Sequence, residues 1–397
     1  MTYPNSSRLL MLSHEDPARA RGGLGIVVGE LCREFASLGV HITLVTGTEP
    51  AQHSERREPA LDPYALPRIE ERDPALSSFA ERALSAARAS LPTAIHAHDW
   101  VAVDAGLRVQ KELGLPLIAH VHSTEWDRSL GRVDPWVLER EGAGLRAATR
   151  VLCVSEATRA LVVERYGLAP KRVVVVHPGV PQLAQPKSSS DSGSAPTKSP
   201  CASPPTVLFL GRLVPQKGID LFLRSALLIR AALPSTRFVV AGDGPCFDDA
   251  LERSIEMGLA RHLRFTGHVN RASVPQLLQR ASALLVPSLA EPFGLVGLEA
   301  AQAGVPVVAS RACGFTEALP AFATFEALDA GAAASAVIEA LQTPMRVRQW
   351  REQAAASLDR LESGAVAADT LSKILPVPGK CETAGTLRSN PILAPQP

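Results

Sequence analysis

Ser282–Ser310 reads SALLVPSLAEPFGLVGLEAAQAGVPVVAS, and the order of its parts decides the fold class. An apolar run ends at Pro287, a turn passes through Glu291-Pro292-Phe293-Gly294, an apolar helix carries Glu299, and a second short apolar run closes at Ser310. Strand, loop, helix, strand is the unit of a parallel sheet. Pro292 suits the first turn of that helix, where no amide donor is lost. The free amides around Phe293, Gly294 and Leu295 are then expected at the mouth of the sheet, where a helix N-terminus stabilises phosphate. Glu291 and Glu299 stand eight apart around the same corner. Carboxylates repel phosphate, so the partners expected for them are hydroxyls, although two glutamates alone read equally as solvated charges beside a turn.

The same alternation runs outward in both directions. Strands are expected at Arg8–Ser13 and His41–Thr46, with Gly22-Gly23-Leu24-Gly25 in a loop between them and a helix from about Ile26 to Leu38. Glycines at a first βα turn let a ligand approach the backbone. The spacing is not G-x-G-x-x-G, and no acidic residue follows at the ribose position, which disfavours a dinucleotide site. Further strands are expected near Ala94–Asp99, Leu115–His122, Arg150–Ser155 and Val173–His177. Residues 185–205 are rich in Ser and Pro with almost no apolar content, a composition that cannot bury surface to offset chain entropy. The alternation restarts at Thr206 and fades after Ser310, with no strand evident in Leu319–Ala334. The expected division is a first Rossmann-like domain over 1–184, a linker over 185–205, a second Rossmann-like domain over 206–345, terminal helices over 346–375 and a disordered tail over 376–397.

Of 397 residues 46% are hydrophobic and 20% charged, and the formal net charge is +1. That describes a globular chain with ample core and gives a nucleic-acid partner no electrostatic support. Six cysteines are scattered without a C-x-x-C pair, which suits reduced thiols and a cytoplasmic setting better than a disulfide frame. The first residues carry too short an apolar run for a signal peptide, and no stretch has the length of a membrane span, which leaves room for peripheral membrane contact.

Chemistry is expected where polar residues meet strand ends. Arg212 follows the first strand of the second domain and Lys217 opens its helix, so both face the crevice. A sugar nucleotide carries about two negative charges on its diphosphate, and cations that neutralise the leaving group act where catalytic benefit is greatest. In the first domain His96 and His98 share one strand face, as do His120 and His122, with Asp99 beside them. Such a group can bind zinc, but no acidic or Cys ligand completes a recognised spacing. No D-x-D occurs anywhere in the chain.

Glu291 to Glu299 resembles the E-x7-E segment of retaining glycosyltransferases of the two-domain GT-B architecture, in particular family 4 and the starch and glycogen synthases. The likeness extends to Gly211-Arg212-Leu213 with Gln216-Lys217-Gly218, to Gly242-Asp243-Gly244-Pro245, to Gly267-His268-Val269 and, on the synthase side, to GGLG, HAHDW and HSTE. Cys313-Gly314-Phe315-Thr316-Glu317 departs from the family's glycine-rich turn. The resemblance implies two Rossmann-like domains facing each other across a cleft. It implies Glu291 on the donor hexose and Glu299 on the ribose, Arg212 and Lys217 on the diphosphate, and Gly23, Gly294 and Leu295 lining the donor site. It puts His122 near the hexose, supporting developing charge, with His120 the core alternative. Glu125 and Arg128 follow on a loop and are expected either to face the acceptor or to belong to a capped helix start. The expected reaction is metal-independent, cofactor-free hexose transfer from a nucleotide diphosphate sugar to an acceptor hydroxyl with retention. The alternatives are an ADP-glucose-dependent α-glucan synthase and a nucleotide-sugar-binding module without turnover.

Overall fold

The computed structural model describes residues 7–20, 22–47, 69–181 and 204–375. The first half runs β1 (Arg8–Ser13), α1 (Gly23–Ser37), β2 (His41–Thr46), α2 (Ile69–Ser90), β3 (Ala94–His98), α3 (Asp99–Leu113), β4 (Leu117–Val121), α4 (Glu125–Arg128), α5 (Pro135–Ala147), β5 (Arg150–Cys153), α6 (Glu156–Tyr166) and β6 (Val173–Val175). The second runs β7 (Thr206–Leu210), α7 (Ile219–Ala232), β8 (Arg237–Ala241), α8 (Phe247–Glu256), β9 (Leu263–Phe265), α9 (Val274–Arg280), β10 (Ala283–Val286), α10 (Leu295–Gln302), β11 (Val307–Ser310), β12 (Ala323–Phe325), α11 (Ala330–Gln342), α12 (Pro344–Arg360) and α13 (Ser363–Ile374). The linker expected at 185–205 lies outside the described residues except for its last two, as does the tail expected from 376.

Each half builds a six-stranded sheet, ordered β2-β1-β3-β4-β5-β6 and β12-β11-β10-β7-β8-β9, with every pairing parallel. The fold is therefore α/β and doubly wound, as expected. Parallel strands covered by helices on both faces are buried throughout, and β3, β4, β10 and β11 have no exposed residue. Strand order reverses between β1 and β3 in the first sheet and between β7 and β10 in the second. Open parallel sheets bind ligands outside the carboxyl ends of their strands at such a reversal. Two crevices are thereby placed by topology alone.

Three local expectations are corrected. The glycine stretch after β1 is no loop, since Gly23, Leu24 and Gly25 form the first turn of α1, where Glu15 Oε2 accepts from Gly25 N–H at 2.9 Å. A carboxylate at a helix N-terminus compensates for the lost propensity of glycine. Pro292 lies outside α10, which begins at Leu295 after Gly294 in the left-handed region (φ 102°). A strand does follow Ser310: β12 is only three residues long, too short to show a period, yet it pairs with β11.

The last helix crosses back to the first half. The Val180 amide donates to Leu361 O (2.8 Å), Ser363 Oγ to Val180 O (2.7 Å), and Arg150 Nη1 to Lys373 O (3.0 Å). α13 packs on α1, so the two halves share one hydrophobic core that runs from Leu9 and Met11 to Leu371 and Ile374.

Candidate active site

The central crevice of the second half is assembled from the ends of β7 and β10. After β7 the chain passes Gly211 and the half-buried Arg212, then a 3-10 turn over Pro215–Lys217. Gly218 ends that turn at φ 68°, a left-handed conformation that favours glycine, and a Cβ there would collide with the Pro287 carbonyl oxygen. Close backbone approach brings the two loops into register, and Leu289 N–H donates to Gln216 O at 2.7 Å. As a result the Lys217 ammonium donates to Glu291 Oε2, and the Ser288 hydroxyl donates to the same oxygen at 3.2 Å. Glu291 is buried, and its backbone is pinned by Glu291 N–H to Ala312 O (3.2 Å) and Gly314 N–H to Glu291 O (2.9 Å). Two residues 74 apart in sequence thus form one ion pair at the strand reversal.

Glu299 lies within α10, buried, and is held by the Arg271 guanidinium from the 3-10 turn after β9. Burial pushes its carboxyl up from the usual range, against the pull of Arg271. Arg271 escaped the reading of sequence, because a lone arginine two residues past Gly-His-Val carries no periodic or motif signal. Ser288 escaped it for the same reason.

Across the gap stands the start of α1. A Cβ on Gly23 would lie 3.5 Å from Leu295 Cδ1, so the N-termini of α1 and α10 approach each other from opposite halves. His177 stacks on Phe293 with ring centroids 5.8 Å apart. Glu317, from the segment that departs from the family pattern, accepts the Glu156 and Ala157 amides of α6 at 2.7 and 3.1 Å. A carboxylate of the second half therefore caps a helix of the first.

The histidines line one face of β3 and β4. His96, His98 and His120 are fully buried, while His122 is half-buried just beyond β4. His96 Nε2 meets His120 Nδ1 at 3.3 Å, and His98 Nδ1 meets His122 Nε2 at 2.9 Å. Burial, and then the neighbouring rings, hold His96, His98 and His120 well below the usual imidazole range and push His122 down to about 3. All four are neutral imidazoles at pH 7. Ring nitrogens of His96, His98 and His120 all lie within 4.8 Å of one another, with His96 Nε2 and His120 Nδ1 at 3.3 Å. Those three residues are the ones that could hold a metal ion among the described residues. Asp99, at φ 58°, turns its Oδ1 to accept the His122 and Ser123 amides at 2.7 and 3.1 Å.

Glu125 and Arg128 begin and end the short helix α4. Thr124 and Asp127 form a capping box that starts α4. Behind it the Arg128 guanidinium lies 3.5 Å from Glu125 and 3.0 Å from Glu141, with both partners buried, and the Tyr166 hydroxyl also donates to Glu141. α5 and α6 thus enclose Glu125 and Arg128, the two residues expected on the acceptor side, in a buried ion network.

Residues 197–357 match the family described as Glycosyl transferases group 1, and residues 21–182 match Glycosyltransferase Family 4. D-inositol 3-phosphate glycosyltransferase 1 of Catenulispora acidiphila is 30% identical over 331 residues, covering 76% of this chain and 77% of that protein. The chain belongs to the group 1 glycosyltransferases. This glycosyltransferase is also 27% identical over 340 residues to a glycogen synthase of Mycobacterium tuberculosis, covering 79% of this chain and 80% of that one. An Anabaena protein solved with UDP and glucose superposes with a TM-score of 0.70 at 16% identity, over 93% of this chain and all of that one. The architecture is thus GT-B, and the enzyme class is glycosyl transfer. Among the described residues no helix is long and apolar enough to cross a membrane.

Proposed function

We propose that this glycosyltransferase moves a hexose from a nucleotide diphosphate sugar to an acceptor hydroxyl with retention, without metal and without any other cofactor. The observation that carries the reading is the meeting of Lys217 and Glu291 at the strand reversal of the second sheet. A cation and a hydroxyl-binding carboxylate side by side match a ligand whose phosphate and sugar are adjacent.

Lys217 and Arg212 neutralise the diphosphate as it leaves, aided by the amides at the start of α10. Glu291 accepts hydrogen bonds from hexose hydroxyls, and Glu299, steadied by Arg271, accepts from the ribose. Gly23 leaves room beside Leu295 for the diphosphate, and Gly294 gives backbone access to it. His122 faces the hexose from the other wall. The bond from C1 to the diphosphate oxygen breaks, the acceptor oxygen bonds to C1 on the same face, and the acceptor proton passes to a phosphate oxygen of the leaving nucleotide. No side chain need become covalently attached.

The reading is tested by incubating purified protein with UDP-, GDP- and ADP-hexoses, a panel of acceptors and EDTA, and by determining the anomer formed. Retained configuration in the presence of EDTA is expected. Inversion of the anomer, or turnover only on adding a divalent ion, overturns it. A second reading, α-glucan synthesis from ADP-glucose, draws support from the relative named glycogen synthase. Extension of glycogen by ADP-glucose selects that reading, whereas transfer to a small phosphorylated polyol selects the inositol-phosphate relatives as the better guide to the acceptor.

A further inference from the structure

His98 is shut off from solvent, and the His122 ring rests on it. It ends β3, is fully buried, pairs in register with His120, and places Nδ1 2.9 Å from His122 Nε2, the rings inclined by 28°. The next residue, Asp99, takes a left-handed backbone (φ 58°) that no glycine provides, and its carboxylate receives the His122 and Ser123 amides. His122 is therefore held at two points by consecutive residues, the ring by His98 and the backbone by Asp99. Strain at a single non-glycine residue is tolerated where the surroundings fix a functional group.

The pairing leaves one proton between two nitrogens, and the rest of the site decides who owns it. His98 Nε2 is buried with no hydrogen-bond partner among the described residues. If His122 donated, His98 would have to carry its own proton on that enclosed nitrogen, and a buried N–H without an acceptor is the rarer and costlier defect. If His98 donates from Nδ1, the enclosed Nε2 is a bare lone pair. His122 then accepts at Nε2 and keeps its proton on Nδ1, the nitrogen on the accessible side of a half-buried ring.

We infer that His98 is a positioning residue: it donates to His122 Nε2, fixes the Nδ1–H tautomer, and presents that N–H to the sugar nucleotide as a neutral hydrogen-bond donor. The inference rests on the proposal that His122 faces the donor hexose. It extends that proposal by naming the atom that acts and the residue that orients it. A neutral N–H donor placed without reorganisation holds a hexose hydroxyl in register as the glycosidic bond breaks, and sets no full positive charge against the sugar ring.

Nitrogen-15 spectroscopy of histidine-labelled wild type reads the tautomer without any substitution. A protonated Nδ1 and bare Nε2 at His122 are expected, and the reverse assignment overturns the inference. H98L removes the donor and is expected to lower kcat about 10²-fold with little change in KM for the sugar nucleotide, as a displaced reacting group does. In H98N the amide nitrogen is bonded to Cγ just as Nδ1 is, so most of the lost kcat is expected to return. In a double-mutant cycle H98L is expected to add nothing once His122 is alanine, whereas a merely structural role would remain additive. If H122A itself leaves kcat unchanged, the donor-site reading of His122 fails. If H122A is slow while H98L turns over normally, the positioning role alone fails.

Discussion

Acidification is expected to weaken the first half of the molecule through its buried imidazoles. His96, His98 and His120 are neutral when folded, with pKa values pushed far down by burial, and each regains a value of about 6.5 when unfolded. The unfolded chain then binds more protons, so their contribution is complete above about pH 6.5 and is lost as pH falls below it. Between pH 7 and pH 5 each ring weakens the fold by about 2 kcal/mol, or about 6 kcal/mol for three. Asp99 works in the opposite direction. Burial pushes its carboxyl up to about 7, so the folded state takes a proton that the unfolded state has released, which restores about 2 kcal/mol over the same interval. The balance is a loss of about 4 kcal/mol, a large share of the 5–15 kcal/mol typical of a folded domain. His122, pushed down to about 3, adds to the loss, while Glu125, Asp127 and Glu299, raised by burial, subtract from it. Urea unfolding at pH 7, 6 and 5 measures this by tryptophan fluorescence, since Trp100, Trp126 and Trp136 all lie in the first half. In H96N the slope is expected to shrink by about 1.4 kcal/mol per pH unit below pH 6. Stability that is flat or rising from pH 7 to pH 5, or a slope untouched by H96N, would refute the reasoning.

The second half makes its own predictions. K217A and E291A are each expected to lower kcat about 10²- to 10³-fold under saturating sugar nucleotide, because each removes a preorganised contact to the reacting part of the donor, and initial rates check it. R271L leaves the buried Glu299 carboxylate without its partner and is expected to cost about 1–3 kcal/mol of stability, which the added change E299Q should partly restore in thermal unfolding. G218A forces a Cβ into the Pro287 carbonyl at a left-handed residue, and calorimetry should register about 1–3 kcal/mol from backbone strain alone.

Much of the architecture was legible because parallel strands buried on both faces read as apolar runs, and helices between them keep a regular period. β10, α10 and β11 follow the Ser282–Ser310 stretch almost residue by residue. β12 was invisible because three residues show no period, and the start of α1 was misplaced because glycines read as a turn until Glu15 is seen to stabilise them from ten residues away. At the site, Lys217 and Glu291 announced themselves through motifs that lie beside strand ends, and the fold joins them. Arg271 and the burial of Glu125 and Arg128 are long-range facts, set by which loops and helices fold over which, while Ser288 lies only three residues before Glu291 and was missed because a lone serine carries no motif. Charge was read from the chain without difficulty, but whether a charge faces solvent, a ligand or another charge is decided by packing.

Calorimetric titration of nucleotide diphosphate hexoses into wild type and K217A/E291A, both in EDTA, tests the central claim most directly. The account predicts binding of at least one donor by wild type and a loss of about 10²-fold or more in the double variant. Equal affinity in the two proteins would contradict it.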